Sequence, residues 1–117
     1  IGLSKAIKNC LEKALQNIKV KPTECEVLLD GGLKAPAEYK KQKTIIRGDE
    51  KERAIAFASI VAKVSRDALM RKLAKKYPKY GFEIHKGYGT KMHCEALAKN
   101  GLCKEHRRCF CRRFLSE

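Results

Sequence analysis

Between Asp49 and Tyr77 nothing interrupts a helix, and its first half, AIAFASIVAKV from Ala54 to Val64, is apolar nearly all round. A surface helix carries one apolar stripe, whereas a helix that is apolar on every side needs burial on every side. The pattern predicts a helix from Asp49 to about Tyr77, ended by Pro78, with its first half packed on a sheet. Asp49 and Glu52 form a capping-box-like start, an aspartate replacing the usual hydroxyl. Only two short runs are available to build that sheet. CEVLLD, residues 25–30, is apolar, ends on an acid and runs into Gly31-Gly32, the profile of a buried strand and a sharp turn. Thr44-Ile45-Ile46 reads as a second strand, ended by Arg47-Gly48. Two strands do not make an independent sheet. The alternation of strand, helix and loop predicts an α/β class in which partner strands are missing.

The remaining segments fit around these elements. Leu3, Ile7, Leu11, Ala14, Leu15 and Ile18 form one stripe of an amphipathic helix, expected to stop at Pro22. Leu33 to Lys43 reads as a basic loop. Lys91 to Asn100 is a further helix, with Gly101 placed to cap its C-terminus. HRRCFCRRF, near the end, sets two Arg pairs around apolar sites. At 117 residues one domain at most is expected, residues 1–117. The chain opens on Ile1 in what reads as a helix already under way, so it is expected to be a piece of something longer.

Charge narrows the function. Lysines and arginines number 27 against 13 acids, a formal net charge of +14 at pH 7. A surplus this large, spread from Lys5 to Arg113, suits a polyanion, and nucleic acid is the commonest one. No apolar run approaches the ~20 residues of a membrane helix, and no secretion signal opens the chain. Six cysteines raise the question of a disulfide scaffold. Cys10 and Cys25, however, sit inside apolar-periodic segments of a lysine-rich chain, which favours reduced thiols in a cytoplasmic protein.

Two acids stand where chemistry is expected. Asp30 ends the first strand, the end at which open α/β sheets meet ligands. The plainer reading is a turn aspartate bonded to the amide of Gly31 or Gly32. Asp67 shares a polar stripe with Ser59 and Lys63 on an otherwise buried helix, where the plainer reading is an i,i+4 pair between Lys63 and Asp67. Together the two carboxylates suit a hard divalent cation, although a two-metal nuclease site wants three or four acids. HKGYGTKMH, residues 85–93, matches neither a P-loop nor a dinucleotide fingerprint. Its histidines lie eight residues apart, a poor start for a metal site. Cys103, His106, Cys109 and Cys111 are zinc-type residues, but their CxC spacing is too tight for a tetrahedral site.

LLDGG, IIRGD, IAFASIVAKVSRDALM, YPKYGF, HKGYGTKMHCEAL and HRRCF, in that order, resemble the second half of a ribonuclease HII. The resemblance runs from about Glu24 to Phe110 and takes in the first helix. It implies a partial ribonuclease H-like fold with two remaining strands, flanking helices and the first three strands missing. It also implies an endoribonuclease that cleaves the RNA strand of RNA–DNA hybrids, and single ribonucleotides in duplex DNA, by two-metal-ion hydrolysis with Mg²⁺ or Mn²⁺. By that resemblance Asp30 matches the acid ending the family's fourth strand, and Asp67 the acid of the SRD helix. Tyr88 matches a tyrosine packed on the sugar at an RNA–DNA junction, held out by a turn at Gly87 and Gly89. Lys63, Ser65, Arg47 and the run His106, Arg107, Arg108 match positions that face the nucleic acid or brace the site.

The departures bear equally on function. The family's opening strand, with an Asp-Glu pair and a Gly-Arg-Gly, has no counterpart in this sequence. Arg47 stands where the family usually has lysine, and the tail is richer in cysteine and arginine. With half the acids absent, the 117-residue chain is expected to be a monomer that does not cleave by itself. The competing reading is a non-catalytic basic module that binds nucleic acid through charge and Tyr88 alone.

Overall fold

A computed structural model describes residues 2–114. The chain divides into two compact units, residues 1–60 and 61–117, and each is described by itself. One helix, α3 (Arg53–Lys76), contributes residues to both.

The first unit opens with α1 (Leu3–Ile18). The helix closes before Pro22 is reached, because Lys19 turns left-handed (φ 58°) and its N–H bonds Gln16 O. Leu11 and Leu15 of its stripe pack with Cys25 against Val27, Leu29, Ala35 and Tyr39, while Leu3 and Ile18 stay exposed. β1 (Val27–Asp30) alternates as a strand must: Val27 and Leu29 are buried and Asp30 is exposed. β2 (Gln42–Ile45) begins two residues earlier than the sequence pattern predicts, and Ile46 falls outside it. The strands pair in parallel with Val27 opposite Gln42 and Asp30 opposite Ile45.

Parallel strands usually need a crossover of a dozen or more residues, most often a helix. Here residues 31–41 make the crossing without one. The Gln42 side chain holds them: its Oε1 accepts from Ala35 N–H at 2.9 Å and its Nε2 donates to Tyr39 O at 2.8 Å. Tyr39 is thereby tucked into the core rather than displayed on a basic loop, and burial pushes its phenol pKa up.

The predicted helix from Asp49 is two helices. Arg47, left-handed at φ 55°, starts α2 (Gly48–Lys51), and Glu52 breaks it with an extended backbone (φ −125°, ψ 120°). The Asp49–Glu52 capping box therefore does not form. Instead Glu52 O accepts from Ala56 N–H at 3.0 Å and opens α3. The burial expected of residues 54–64 is not found either. Ile55 is buried, but Phe57, Ile60, Val61 and Val64 are exposed, Phe57 at 67% and Val61 at 66%. Two four-residue strands present little area, and nothing among the described residues covers this side of the helix. Ser59 and Lys63 consequently lie on an exposed helix and not on a buried polar stripe.

In the second unit Met70, Leu73, Ala74 and Tyr77 recur at spacings of three, one and three, so the latter half of α3 turns one face inward. That face packs with Tyr80, Phe82, Leu97 and Cys111. α4 (Phe82–His85) is a single turn between two left-handed residues, Gly81 (φ 75°) and Lys86 (φ 51°). α5 (Lys91–Asn100) matches its predicted bounds, with Thr90 Oγ1 accepting from His93 N–H and Gly101 N–H closing on Leu97 O. α6 (Arg108–Cys111) and a 3₁₀ turn (Arg112–Phe114) end the described chain. All six cysteines are free thiols, as expected. Among the described residues no helix is long and apolar enough to cross a membrane.

Candidate functional site

Asp30 is placed by β1, and its chemistry is set by a neighbour far along the chain. Gly48 N–H donates to Asp30 Oδ1 at 2.9 Å, so the turn reading through Gly31 or Gly32 is not what the structure shows. Gly31 is instead the left-handed residue (φ 66°) that turns the chain, with its N–H bonded to Ile45 O. The second carboxylate oxygen has no hydrogen-bond partner among the described residues. One oxygen is thus fixed and the other open, an arrangement that orients a carboxylate toward an external ligand. Gly48 is required by close approach: a Cβ there would lie 2.5 Å from Ile55 Cδ1 and 3.5 Å from Asp30 Oδ1. Gly48→Ala is expected to push Ile55 aside and loosen the Asp30 contact at a cost of ~1–3 kcal/mol. Chemical denaturation of the chain, read at the tyrosines, checks it; an unchanged midpoint would refute the packing argument.

Arg47 sits beside this acid in sequence but is otherwise engaged. Its Nε and Nη2 both donate to Glu50 Oε1, at 3.1 and 2.7 Å. Both partners are largely exposed, so the pair contributes little stability and releases the guanidinium cheaply to another anion.

In the second unit Asp67 is half-buried on α3, with Lys63, Ser65 and Arg66 exposed around it. No ion pair joins Lys63 to Asp67 among the described residues. Arg66, overlooked in the sequence reading, fastens the neighbouring loop: its Nη2 donates to Lys86 O at 3.2 Å. The arginine inside the SRD motif was the available signal. Arg66, Gly87, His93, His106 and Arg107 line one open cleft. Arg107 stacks its guanidinium 4.3 Å from the Phe110 ring centroid, and Arg108 begins α6 in the open.

Tyr88 stands out of the loop with 68% of its surface exposed, yet its backbone is held at both ends. Its N–H donates to His85 O at 2.9 Å, and its carbonyl accepts from Thr90 N–H at 2.8 Å and from His93 Nδ1 at 2.9 Å. The turn, expected at Gly87 and Gly89, is made by Lys86 (φ 51°) and Gly87 (φ 82°), and Gly89 has no positive φ. Gly87 is doubly constrained, since a Cβ would also meet Met70 Cε at 3.1 Å. The two histidines eight residues apart do meet: their rings stack at 4.2 Å, 10° from parallel. Both are buried, and His106 joins them at 3.0 Å from His93 Nε2.

This trio is not a zinc centre, nor do the zinc-type residues of the tail form one. Among the described residues no three of His, Cys, Asp or Glu are grouped to hold a metal. Cys109 is exposed, Cys111 is in the core, and Cys103 Sγ lies against His106 Nδ1. Asp30 and Asp67 are the right donor type for Mg²⁺ or Mn²⁺, but they belong to different units and do not by themselves make up a metal site.

Comparison with known proteins decides what this arrangement belongs to. The family described as Ribonuclease HII matches residues 1–116. The chain belongs to the ribonuclease HII family. It is 46% identical over 110 residues to a ribonuclease HII of Bacillus anthracis, covering 94% of this chain and 41% of the relative. With a ribonuclease HII of Caldicellulosiruptor bescii it shares 44% identity over 116 residues, 99% of this chain and 55% of the relative. A Bacillus cereus ribonuclease HII gives 44% over 110 residues. The chain thus spans about half the length of the curated relatives it matches.

Proposed function

We propose that this chain is the part of a ribonuclease HII that recognises the ribonucleotide and supplies two of its acids. The whole enzyme would cleave the RNA strand of RNA–DNA hybrids, and single ribonucleotides in duplex DNA, with Mg²⁺ or Mn²⁺. The observation that supports this most directly is Tyr88: a ring left open to solvent while its own backbone is bonded on both sides. A side chain with no packing role, on a backbone that cannot drift, is suited to meet a flat ligand face at a set position. Arg66, Arg107 and Lys63 supply positive charge for the adjoining phosphates. Asp30 and Asp67 are the residues that would hold the divalent ion, whose chemistry is to activate water and stabilise the leaving oxygen. Since the described residues do not complete its site, no catalytic step is assigned to this chain alone.

The purified chain is accordingly expected to bind a duplex carrying one ribonucleotide and to leave it uncut in Mn²⁺. Tyr88→Ala should weaken that binding by ~1–3 kcal/mol, the range for one aromatic stacking contact. Fluorescence anisotropy and gel analysis of the same samples read both results. Cleavage by the chain alone would sink the assignment of the missing acids elsewhere. The net charge of +14 favours a second reading, a basic module that binds without any cutting partner. For that module Asp30→Asn and Asp67→Asn would be neutral or would tighten binding as repulsion falls.

A further inference from the structure

The hydrogen bonds around the three packed rings, two buried and His106 half-buried, fix the proton on each. A carbonyl oxygen only accepts, so His85 must carry its proton on Nε2, which meets Tyr80 O at 2.6 Å. Its Nδ1 is then free to accept Gly87 N–H at 3.1 Å. By the same logic His93 carries its proton on Nδ1, against Tyr88 O, which leaves Nε2 bare. His106 Nδ1 accepts Cys103 N–H at 3.0 Å, so its proton is on Nε2 and points at the bare His93 Nε2 3.0 Å away. The chain of donors and acceptors closes only with all three rings neutral. A further proton on His85 Nδ1, His93 Nε2 or His106 Nδ1 would face an N–H already pointing at that nitrogen.

We propose that this neutral three-histidine stack is the positioning device for Tyr88, the His93 ring holding the tyrosine carbonyl and the His85 ring the amide of Gly87 just before it, and that it lets the loop go when a ring takes up a second proton. The proposal rests on the reading of Tyr88 as the ribonucleotide contact. His85 and His93 are positioning residues, since they reach the ligand only through Tyr88, and His106 sets the tautomer of His93. The surroundings favour the neutral form. Burial holds the pKa of His85 and of His106 below the ordinary 6.5. Lys86 on the loop, Arg66 from α3 and Arg107 beyond α5 add positive charge, and Glu83 and Glu105 oppose it. Tyr80 and Cys103 also pack on the stack, and Cys111 lines the same cleft. With folded pKa values depressed, the unfolded chain binds more protons below 6.5. The contribution to stability is therefore complete above that pH and is lost as pH falls through the folded values.

The test uses the intact 117-residue chain labelled with ¹⁵N. Long-range imidazole spectra at about pH 8 should show protons on His85 Nε2, His93 Nδ1 and His106 Nε2. On acidification the Tyr88 and Thr90 amide signals should move with the same midpoint as the rings. The preference for a single-ribonucleotide duplex over an all-DNA duplex, about fivefold or more at the higher pH, should fall towards one. General electrostatics predicts the opposite trend in raw affinity, since added positive charge tightens both duplexes. His93→Asn, which keeps a donor near the Nδ1 position, should preserve the Tyr88 signals better than His93→Leu. A proton found on His93 Nε2, or a Tyr88 amide that stays fixed while the rings titrate, overturns the proposal. A preference of one at every pH overturns the reading of Tyr88 instead, and the spectra, which need no substrate, then decide the stack by themselves.

Discussion

Joined to the part of the Bacillus anthracis relative that it does not cover, the chain is expected to cleave a single-ribonucleotide duplex, and Asp30→Asn or Asp67→Asn to abolish most of that activity. The expected loss in kcat is ~10²–10³-fold or more, the scale of removing one preorganised electrostatic group from a water-poor site. Binding should persist, because asparagine keeps the shape of the side chain and removes only repulsion from the phosphates. The two positions should differ in one respect. At position 30 the amide oxygen of asparagine can still accept Gly48 N–H, so the fold around β1 survives and the loss is one of charge. Asp67 has no such tether among the described residues, where its helix alone places it. Single-turnover kinetics with a parallel binding isotherm separate the two effects. Equal turnover in the variants, with binding unchanged or tighter, would favour the binding-module reading.

The second large effect is on stability. Phe82→Ala is expected to cost ~3–5 kcal/mol, a substantial share of the 5–15 kcal/mol that typically holds a domain. Phe82 is 3% exposed and sits among five rings. It stacks on Tyr80 at 5.4 Å and meets Tyr77, His85, His93 and His106 at 5.6–6.5 Å. Alanine would leave a void that this many rings cannot close without leaving their hydrogen bonds. The histidine signals should therefore broaden before unfolding is complete. Thermal denaturation of the chain measures the cost. A change below about 1 kcal/mol would show that the cluster repacks.

What the sequence disclosed follows its periodicities. α5 was legible because Thr90 and Gly101 mark its two ends by local chemistry, and the acid closing β1 because a strand end is a local event. The break at Glu52 was not legible. It goes with a bond between Gly48 and Asp30, residues 18 apart, and no spacing rule reaches that far. Burial of Phe57 and Val61 was misjudged for a related reason: apolar character states what a residue needs, while burial depends on what is there to meet it. The family motifs marked Tyr88, Asp30 and Asp67 as candidates, yet the pairing of His85 with His93 runs against their separation in sequence. A tight turn at Lys86 and Gly87 brings them together, and only positive φ values reveal it.

The Gln42 side chain has a further consequence for the two strands. Four residue pairs in a short parallel ribbon carry little information about alignment, and a slip of one residue would move every partner by ~3.3 Å. Gln42 opens β2 opposite Val27, and its amide is locked to Ala35 and Tyr39, so a slip would tear it from both. The same residue therefore acts as the vernier of the ribbon: it keeps Ile45 level with Asp30, and so brings Gly48, three residues further on, to the carboxylate it must meet.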